Sequence, residues 1–245
     1  MAVFVIPAYN EEANVPRLLA DLESRPDLWR GGRVVLVDDG STDATVEVAH
    51  AHAGALPIEV LEQVPNQGPG RAFDRGFRHV LASAKSDTLI VTLESDTTSD
   101  LDALGEMLAT ARSGADVVLA SHHDGGELVN VNAHRRFLSR AAAYAIRRSS
   151  GLDARTVSSF FRVYRAGALH AAYARYGDDF VREPGFACKA EILIKLDRLG
   201  ARIAEVPVAL DWSLREGESK LRVLPTVGGY ARIMMRQVTA RERAA

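Results

Sequence analysis

The sequence predicts an α/β fold with a mostly parallel central sheet and helices on both faces. Short apolar runs alternate with amphipathic helical patterns along residues 1–120. The apolar runs are continuous, as in "VVLV" at 34–37, which is typical of parallel strands buried on both faces. A chain of 245 residues is long enough for one large domain of this kind.

Strand and helix alternate regularly in the first half of the chain. The predicted strands are 3–8, 34–37, 58–61, 88–93 and 116–120. The predicted helices are 14–22, 43–52, 69–82 and 101–111. Asn14 is expected to cap the first helix and Thr42 or Asp43 the second, because these side chains accept hydrogen bonds from unpaired backbone N–H groups.

The second half is less regular. Its predicted elements are a helix over 133–148, a strand or extended segment over 158–165, a helix over 188–199 and a strand over 203–210. Gly200 is a typical residue just past a helix end. Pro207 interrupts the last strand and places it near a sheet edge, since proline cannot donate to a strand ladder. Residues 223–235 are apolar with interspersed arginines, and core packing, a homodimer contact and a membrane-surface helix are the alternatives there.

Composition excludes several classes of protein. The net charge of −2 lacks the basic excess of a nucleic-acid-binding domain, so no nucleic-acid partner is expected. The single cysteine, Cys188, excludes an internal disulfide and suits a reducing compartment. We expect it to be a small buried apolar residue rather than a nucleophile.

The sequence also indicates a location. The N-terminal residues lack the basic and apolar regions of a signal peptide. No apolar run reaches the roughly 18 residues that cross a bilayer. We therefore expect a cytoplasmic protein, with peripheral contact at a membrane surface left open because such contact leaves little trace in hydropathy.

Acidic residues follow three of the predicted strands. These segments are "PAYNEE" at 7–12, "DDGSTD" at 38–43 and "ESD" at 94–96. In open parallel sheets, ligands bind outside the carboxyl ends of the strands. The sequence therefore predicts a binding site at this edge of the sheet.

The adjacent carboxylates of Asp38 and Asp39 repel each other unless something donates to them. A nucleobase imide or a ribose hydroxyl could be that donor. The alternative is a strand followed by a turn at Gly40 and a helix cap, and the sequence leaves both open. In "PAYNEE", Tyr9 could stack on a base, or the segment could only start a helix with Glu11 favouring its dipole.

Two further segments suggest contacts with phosphate groups. Glu94 and Asp96 could hold a hard divalent cation, although Asp96, Ser99 or Asp100 could instead cap the next helix. "NQGPGRAFDRGF" at 66–77 lacks the spacing of a dinucleotide-binding fingerprint. Its glycines would let the backbone approach a ligand, and Arg71 could meet a phosphate.

The quoted segments together resemble a known family. "VIPAYNEE", "VVLVDDGSTD", "NQGPGRAFDRGF" and "ESD" are similar, in order and spacing, to the inverting family-2 glycosyltransferases and their GT-A fold, which binds nucleotide-diphospho-sugars. "SSFFRVYRAGAL", "AEILIKLDRLGARIAEVPVAL" and "REGESKL" resemble the polyprenol-phosphate branch, which includes dolichol-phosphate mannosyltransferase-like enzymes. The resemblance implies one GT-A domain over 1–245, with a nucleotide-sugar half (1–120), an acceptor half (121–212), and an acceptor loop with a helical tail (213–245).

The resemblance, with the loops above, also implies site residues. Contacts with the nucleotide sugar are expected from Pro7, Tyr9, Glu11, Asp38, Asp39, Gly68, Arg71, Glu94, Ser95 and Arg135. Catalytic roles are expected for Asp96, Arg136, Arg215 and Lys220, with Ser219 beside the last two. Asp96 and Glu94 would hold Mg²⁺ or Mn²⁺, although Glu94 departs from the aspartate of the family's D-x-D motif.

The expected activity is an inverting, metal-dependent transfer of a sugar from a GDP- or UDP-sugar to a polyprenyl phosphate. One alternative is a soluble enzyme acting on a small-molecule hydroxyl, and another is a non-catalytic homologue that binds a nucleotide sugar or a partner. A lipid phosphate is already ionised and needs no general base, whereas a hydroxyl acceptor needs one. Glu183 and Glu191 are the candidates for that base.

Overall fold

A computed structural model of the chain describes residues 1–52, 54–122, 127–129, 143–211 and 223–242. Its strands are β1 (Ala2–Ala8), β2 (Arg33–Asp38), β3 (Ile58–Glu62), β4 (Leu89–Thr92), β5 (Val117–Ser121), β6 (Glu127–Val129), β7 (Arg162–Arg165), β8 (Ile203–Pro207) and β9 (Ala209–Asp211). Its helices are α1 (Val15–Glu23), α2 (Pro26–Trp29), α3 (Thr45–His50), α4 (Pro69–Leu81), α5 (Leu104–Arg112), α6 (143–150), α7 (Ala166–Tyr176), α8 (Cys188–Arg198) and α9 (Val223–Glu242).

The central sheet has the strand order β3-β2-β1-β4-β7-β5-β8. Its neighbouring strands are parallel except at β7, which runs antiparallel to both β4 and β5. The predicted mostly parallel sheet is therefore confirmed. Pro207 ends β8 at the sheet edge, and the chain continues into β9, which pairs with β6 in a separate two-stranded ribbon.

Apolar layers cover both faces of the sheet, and β1 illustrates why its sequence is continuously apolar. Val3 and Val5 face the layer that contains α4 and α8. Phe4 and Ile6 face the opposite layer, which contains α1 and α5. Alternate side chains of one strand point to opposite faces, so a strand covered on both sides needs apolar residues at every position.

Some boundaries differ from prediction. Asn14 makes no capping hydrogen bond with α1, because its side-chain amide donates to Glu11 Oε2 at 2.7 Å. α3 begins at Thr45, later than predicted, and Asp43 accepts the Thr45 N–H at 3.1 Å just before it. α7 was not predicted. Of the predicted helix at 133–148, residues 143–148 are helical and 133–142 lie outside the described residues.

Within the described ranges, no helix is both long enough and apolar enough to span a bilayer.

A substitution at Gly76 tests how closely α4 packs on the sheet. A Cβ at this position would lie 2.5 Å from Val5 Cγ1 and 3.1 Å from Val37 Cγ2. Gly76→Ala is therefore expected to lower the free energy of unfolding by about 1–3 kcal/mol, because overpacking forces neighbouring atoms to shift. Gly105→Ala in α5 is the control: a Cβ there has no neighbour within 4 Å, and the change should raise that free energy by about 0.5–1 kcal/mol. Urea unfolding measures both, and effects of the same sign would contradict this packing.

Candidate active site

A cavity of about 720 Å³ opens beyond the carboxyl ends of β1, β2 and β4. This volume lies within the range of small-molecule binding sites. Its lining residues are Pro7, Ala8, Tyr9, Glu11, Asp39, Asn66, Gly68, Pro69, Glu94, Ser95, Asp96, Phe160, Glu183, Pro184, Gly185, Phe186, Ala187, Pro225, Thr226, Gly229 and Arg232. The cavity lies at the sheet edge where the sequence predicts a binding site.

The structure brings most of the predicted site residues together. Those that line the cavity are Pro7, Tyr9, Glu11, Asp39, Gly68, Glu94, Ser95 and Asp96. Asp38 and Arg71 do not line it. Arg135, Arg136, Arg215, Ser219 and Lys220 lie outside the described residues. The binding and catalytic roles of all these residues stay predictions.

The loops after β1 and β2 are joined by hydrogen bonds. The Asn10 N–H donates to Ser41 Oγ at 2.9 Å, and the Thr42 N–H donates back to Asn10 Oδ1 at 2.8 Å. The Glu11 N–H donates to Thr45 Oγ1 at 2.8 Å. These contacts fix the backbone on which Tyr9 and Glu11 reach the cavity.

The Asp39 carboxylate accepts hydrogen bonds from other residues of the protein. Its Oδ1 accepts from the Gln63 amide at 2.6 Å and the Gln67 N–H at 2.8 Å, and its Oδ2 accepts from the Gly68 N–H at 2.8 Å. Burial raises the pKa of this carboxyl, while the hydrogen bonds act in the opposite direction. The protein therefore supplies hydrogen-bond donors to Asp39, which also lines the cavity, and its contact with a nucleotide stays a prediction.

Asp38 forms the turn that the sequence offered as the alternative. Its Oδ2 accepts the N–H groups of Gly40 and Ser41, both at 3.1 Å. Gly40 has a φ of 75°, a left-handed conformation in which glycine is unstrained. The Asp38 carboxylate is thus buried against its own turn.

The glycines of "GPG" admit a close backbone approach to another part of the chain, and Gly68 also lines the cavity. The Gly70 N–H donates to the Pro184 carbonyl at 2.7 Å. A Cβ at Gly70 would lie 2.0 Å from the Glu183 carbonyl oxygen. Arg71 donates to the Val181 carbonyl at 3.2 Å in the same region. This segment therefore joins the start of α4 to the loop before α8.

The loop after β4 orients Asp96. Its Oδ1 accepts from the Thr98 hydroxyl at 2.7 Å and from the Thr98 N–H at 3.3 Å. Thr97 has a φ of 61°, and this left-handed conformation costs a β-branched residue on the order of 1–3 kcal/mol. Asp100 accepts the Asp102 N–H and caps the short helix Leu101–Ala103. The helix cap is thus supplied by Asp100, and Asp96 faces the cavity.

The acidic pair Glu94 and Asp96 fits a hard divalent cation such as Mg²⁺ or Mn²⁺. Among the described residues, no group of three or more His, Cys, Asp or Glu side chains is placed to hold a metal alone. Magnesium sites of nucleotide enzymes use one or two carboxylates and are completed by substrate phosphates and water. The donor set therefore suits a cation that binds together with a diphosphate.

A buried cation lies behind this acidic pair. The Lys189 ammonium stacks over Phe160, with Nζ 4.3 Å from the ring centroid, and lies 5.5 Å from that of Phe186. Burial lowers the pKa of Lys189, and the negative charges of Glu94 and Asp96 act in the opposite direction. Lys189 thus lies near enough to Glu94 and Asp96 for their carboxylates to favour its charged form.

Glu183 binds two arginines of α9. Its Oε1 and Oε2 accept from Arg232 Nε at 3.2 Å and Nη2 at 2.7 Å, a bidentate ion pair. Arg236 Nη1 lies 3.1 Å from Oε1 of the same carboxylate. The Glu183 side chain is almost completely buried, at 2% exposure. These contacts hold α9 against the cavity wall.

Glu191 is also fully engaged. Its Oε2 accepts the N–H groups of Arg182 and Glu183 at 2.9 and 2.8 Å. Its Oε1 accepts from Lys195 Nζ at 2.7 Å. Glu191 does not line the cavity, so it acts as a structural anchor for the loop that carries Glu183.

The strand order of the sheet, with acidic loops at its carboxyl edge, is that of the GT-A fold. A solved structure supports this: glucosyl-3-phosphoglycerate synthase from Mycobacterium tuberculosis, in complex with Mn²⁺, UDP-glucose and phosphoglyceric acid. It aligns with a TM-score of 0.63 and 21% identity, covering 98% of this chain and 79% of that chain. The likeness confirms the predicted GT-A fold.

The pattern of the family described as Glycosyl transferase family 2 matches residues 3–172. The chain belongs to this family and is a glycosyltransferase.

Individual relatives narrow the branch of the family. The chain is 31% identical over 220 residues to the undecaprenyl-phosphate mannosyltransferase of Micrococcus luteus, covering 89% of this chain and 86% of the relative. It is 32% identical over 173 residues to the undecaprenyl-phosphate 4-deoxy-4-formamido-L-arabinose transferase of Pseudomonas aeruginosa, covering 69% of this chain and 48%, about half, of that relative. The predicted resemblance to the polyprenol-phosphate branch is confirmed.

Sequence reasoning missed several cavity residues. Phe160 and Phe186 are ordinary apolar residues in the sequence, and their place in the cavity depends on long-range packing. Lys189, which lies behind the cavity and not in its lining, carried a sequence signal, because it is a charged residue in the mostly apolar start of α8. Arg232 carried a similar signal as an arginine within the apolar tail.

Cys188 provides a test of the packing beneath the cavity. The thiol is buried in α8, as predicted, and burial raises its pKa to about 12. Because the thiolate is the reactive species, the native protein should resist iodoacetamide at mildly alkaline pH and react fully only in denaturant. Mass spectrometry after timed labelling measures this, and rapid labelling of the native protein would contradict the described burial.

Proposed function

We propose that the chain transfers a sugar from a nucleoside-diphosphate sugar to a polyprenyl phosphate, with inversion at the anomeric carbon. One observation carries the proposal. The cavity gathers the three acidic loops of a donor site, while the two glutamates that could serve as a general base are engaged in other contacts. Such a site suits an acceptor that is already ionised.

The donor would occupy the side of the cavity formed by residues 1–120. Tyr9 offers a ring on which a base can stack, and Asp39 offers a carboxylate already oriented by three donors. Glu94 and Asp96 would hold Mg²⁺ or Mn²⁺. When bound, the cation supplies charge neutralisation at the diphosphate. The structural neighbour that was solved with Mn²⁺ and UDP-glucose supports a donor and metal of this kind.

The acceptor argument rests on Glu183 and Glu191. A general base needs a lone pair within hydrogen-bond reach of the acceptor proton. The Glu183 oxygens face Arg232 and Arg236, and Glu191 accepts from Lys195 and from two backbone N–H groups. Neither carboxylate is arranged to take a proton from a hydroxyl.

A phosphate acceptor needs no general base. One of its anionic oxygens attacks the anomeric carbon from the face opposite the diphosphate. The new carbon–oxygen bond forms as the bond to the diphosphate breaks, and the nucleoside diphosphate leaves with the electron pair. No proton has to be removed from the acceptor, and the names of the two bacterial relatives agree with a lipid-phosphate acceptor.

The donor side is tested by titrating the protein with UDP, GDP and their sugars, with and without Mn²⁺ or Mg²⁺. Asp96→Asn is expected to lower kcat/KM by about 10²–10³-fold and to abolish metal-dependent nucleotide binding. Asp100→Asn is the matched control, because it removes one charge from the same loop but lies outside the cavity and keeps a good capping residue. Equal activity of the two variants would overturn the donor-site assignment.

The acceptor side is tested with a matched pair of substrates, a short prenyl phosphate and the corresponding prenyl alcohol. The phosphate should be glycosylated and the alcohol should not, because the alcohol requires a base. Product formation is measured by mass spectrometry with the nucleotide sugar that binds in the titration. Transfer to the alcohol or to small-molecule hydroxyls alone would favour the soluble hydroxyl-acceptor enzyme instead.

A further inference from the structure

The charges around the cavity are unbalanced. Its described lining residues include five carboxylates, which are Glu11, Asp39, Glu94, Asp96 and Glu183. Among the same residues, Arg232 is the one with a permanent positive charge. Two phosphorylated substrates would meet in this cavity under the proposed function. A cation at Glu94 and Asp96 accounts for the donor diphosphate, but the acceptor phosphate needs a positive charge of its own.

We propose that Arg232 binds the phosphate of the acceptor and thereby helps to select a phosphorylated acceptor. This inference rests on the proposed function and adds a binding residue from α9 to it. Arg232 lies on the acceptor side of the cavity, next to the loop of residues 183–187. Its side chain is 49% exposed, so a ligand can reach it.

The packing of α9 brings Arg232 to this position. Gly229 lies one turn earlier on the same face of the helix. A Cβ at Gly229 would lie 2.7 Å from Ala187 Cβ and 3.2 Å from Glu183 Oε2. The absence of a side chain at Gly229 therefore lets α9 approach the loop closely, and Arg232 projects beside Glu183 at the cavity wall.

The pairing with Glu183 leaves Arg232 able to bind a ligand. A guanidinium has five N–H donors, and the two hydrogen bonds to Glu183 come from Nε and Nη2. Among the described residues, Glu183 is the hydrogen-bond partner of Arg232, so the Nη1 group and the second N–H of Nη2 can donate to phosphate oxygens. If Arg232 turns further toward the phosphate, Arg236 at 3.1 Å still compensates the buried Glu183 carboxylate. Glu183 would thus orient Arg232 before the acceptor binds.

Arg236 provides the matched control. Both arginines lie on α9 and pair with Glu183, but Arg236 does not line the cavity. Arg232→Gln is expected to raise the KM for a short prenyl phosphate by about 10–100-fold, because a charged hydrogen-bond partner of the phosphate is lost. The KM for the nucleotide sugar should change less than about twofold. Arg236→Gln should leave the acceptor KM within a few fold of the wild-type value.

Arg232→Lys separates phosphate binding from a structural role. Lysine keeps the positive charge but cannot reproduce the bidentate pairing with Glu183. Recovery of most of the acceptor KM in Arg232→Lys, compared with Arg232→Gln, supports the inference. Equal losses in Arg232→Lys and Arg232→Gln, equal effects of Arg232→Gln and Arg236→Gln, or a shift in the donor KM alone would overturn it.

The same assay separates this inference from the proposed function. If the wild-type protein glycosylates the prenyl phosphate and Arg232→Gln does so with an unchanged acceptor KM, the inference fails and the proposed function stands. If the wild-type protein transfers sugar to hydroxyl acceptors and never to the prenyl phosphate, both fail.

Discussion

The contact between the start of α4 and the loop before α8 determines how the two halves of the cavity meet. Gly70 donates to the Pro184 carbonyl, and its lack of a side chain lets the Glu183 backbone approach it. The position of the Glu183 carboxylate follows from this contact, and so does the ion pair that draws in α9. The geometry of the cavity wall at residues 183–187 therefore depends on a glycine at the start of α4.

The fold was largely predictable because a strand buried on both faces of the sheet has a recognisable local sequence pattern. Strands such as β2 are apolar at consecutive positions, and this pattern is visible without knowledge of their neighbours. The place of β7 was not predictable. Its insertion between β4 and β5, antiparallel to both, depends on pairings between residues more than 40 positions apart, such as Val118 with Val163.

The candidate site, too, could be predicted only as far as local sequence patterns reach. The acidic loops could be placed at one sheet edge from their positions after the strands, but the partners of their carboxylates could not. Asp39 is held by Gln63, Gln67 and Gly68, more than 20 residues away, and no local pattern connects them. Likewise, the sequence gives no measure of how deeply Lys189 is buried, since that depends on aromatic rings from two separate segments.

The reversed direction of β7 has a consequence for how the cavity can change in evolution. The acidic loops of the cavity leave the sheet after the parallel strands β1, β2 and β4. Phe160 comes from a segment that enters the sheet, because an antiparallel strand begins where its neighbours end. Substitutions or length changes before β7 can therefore reshape the cavity wall at Phe160 while the registers of the strands before the acidic loops stay the same. A single sheet can in this way keep its acidic loops while another wall of the same cavity diverges.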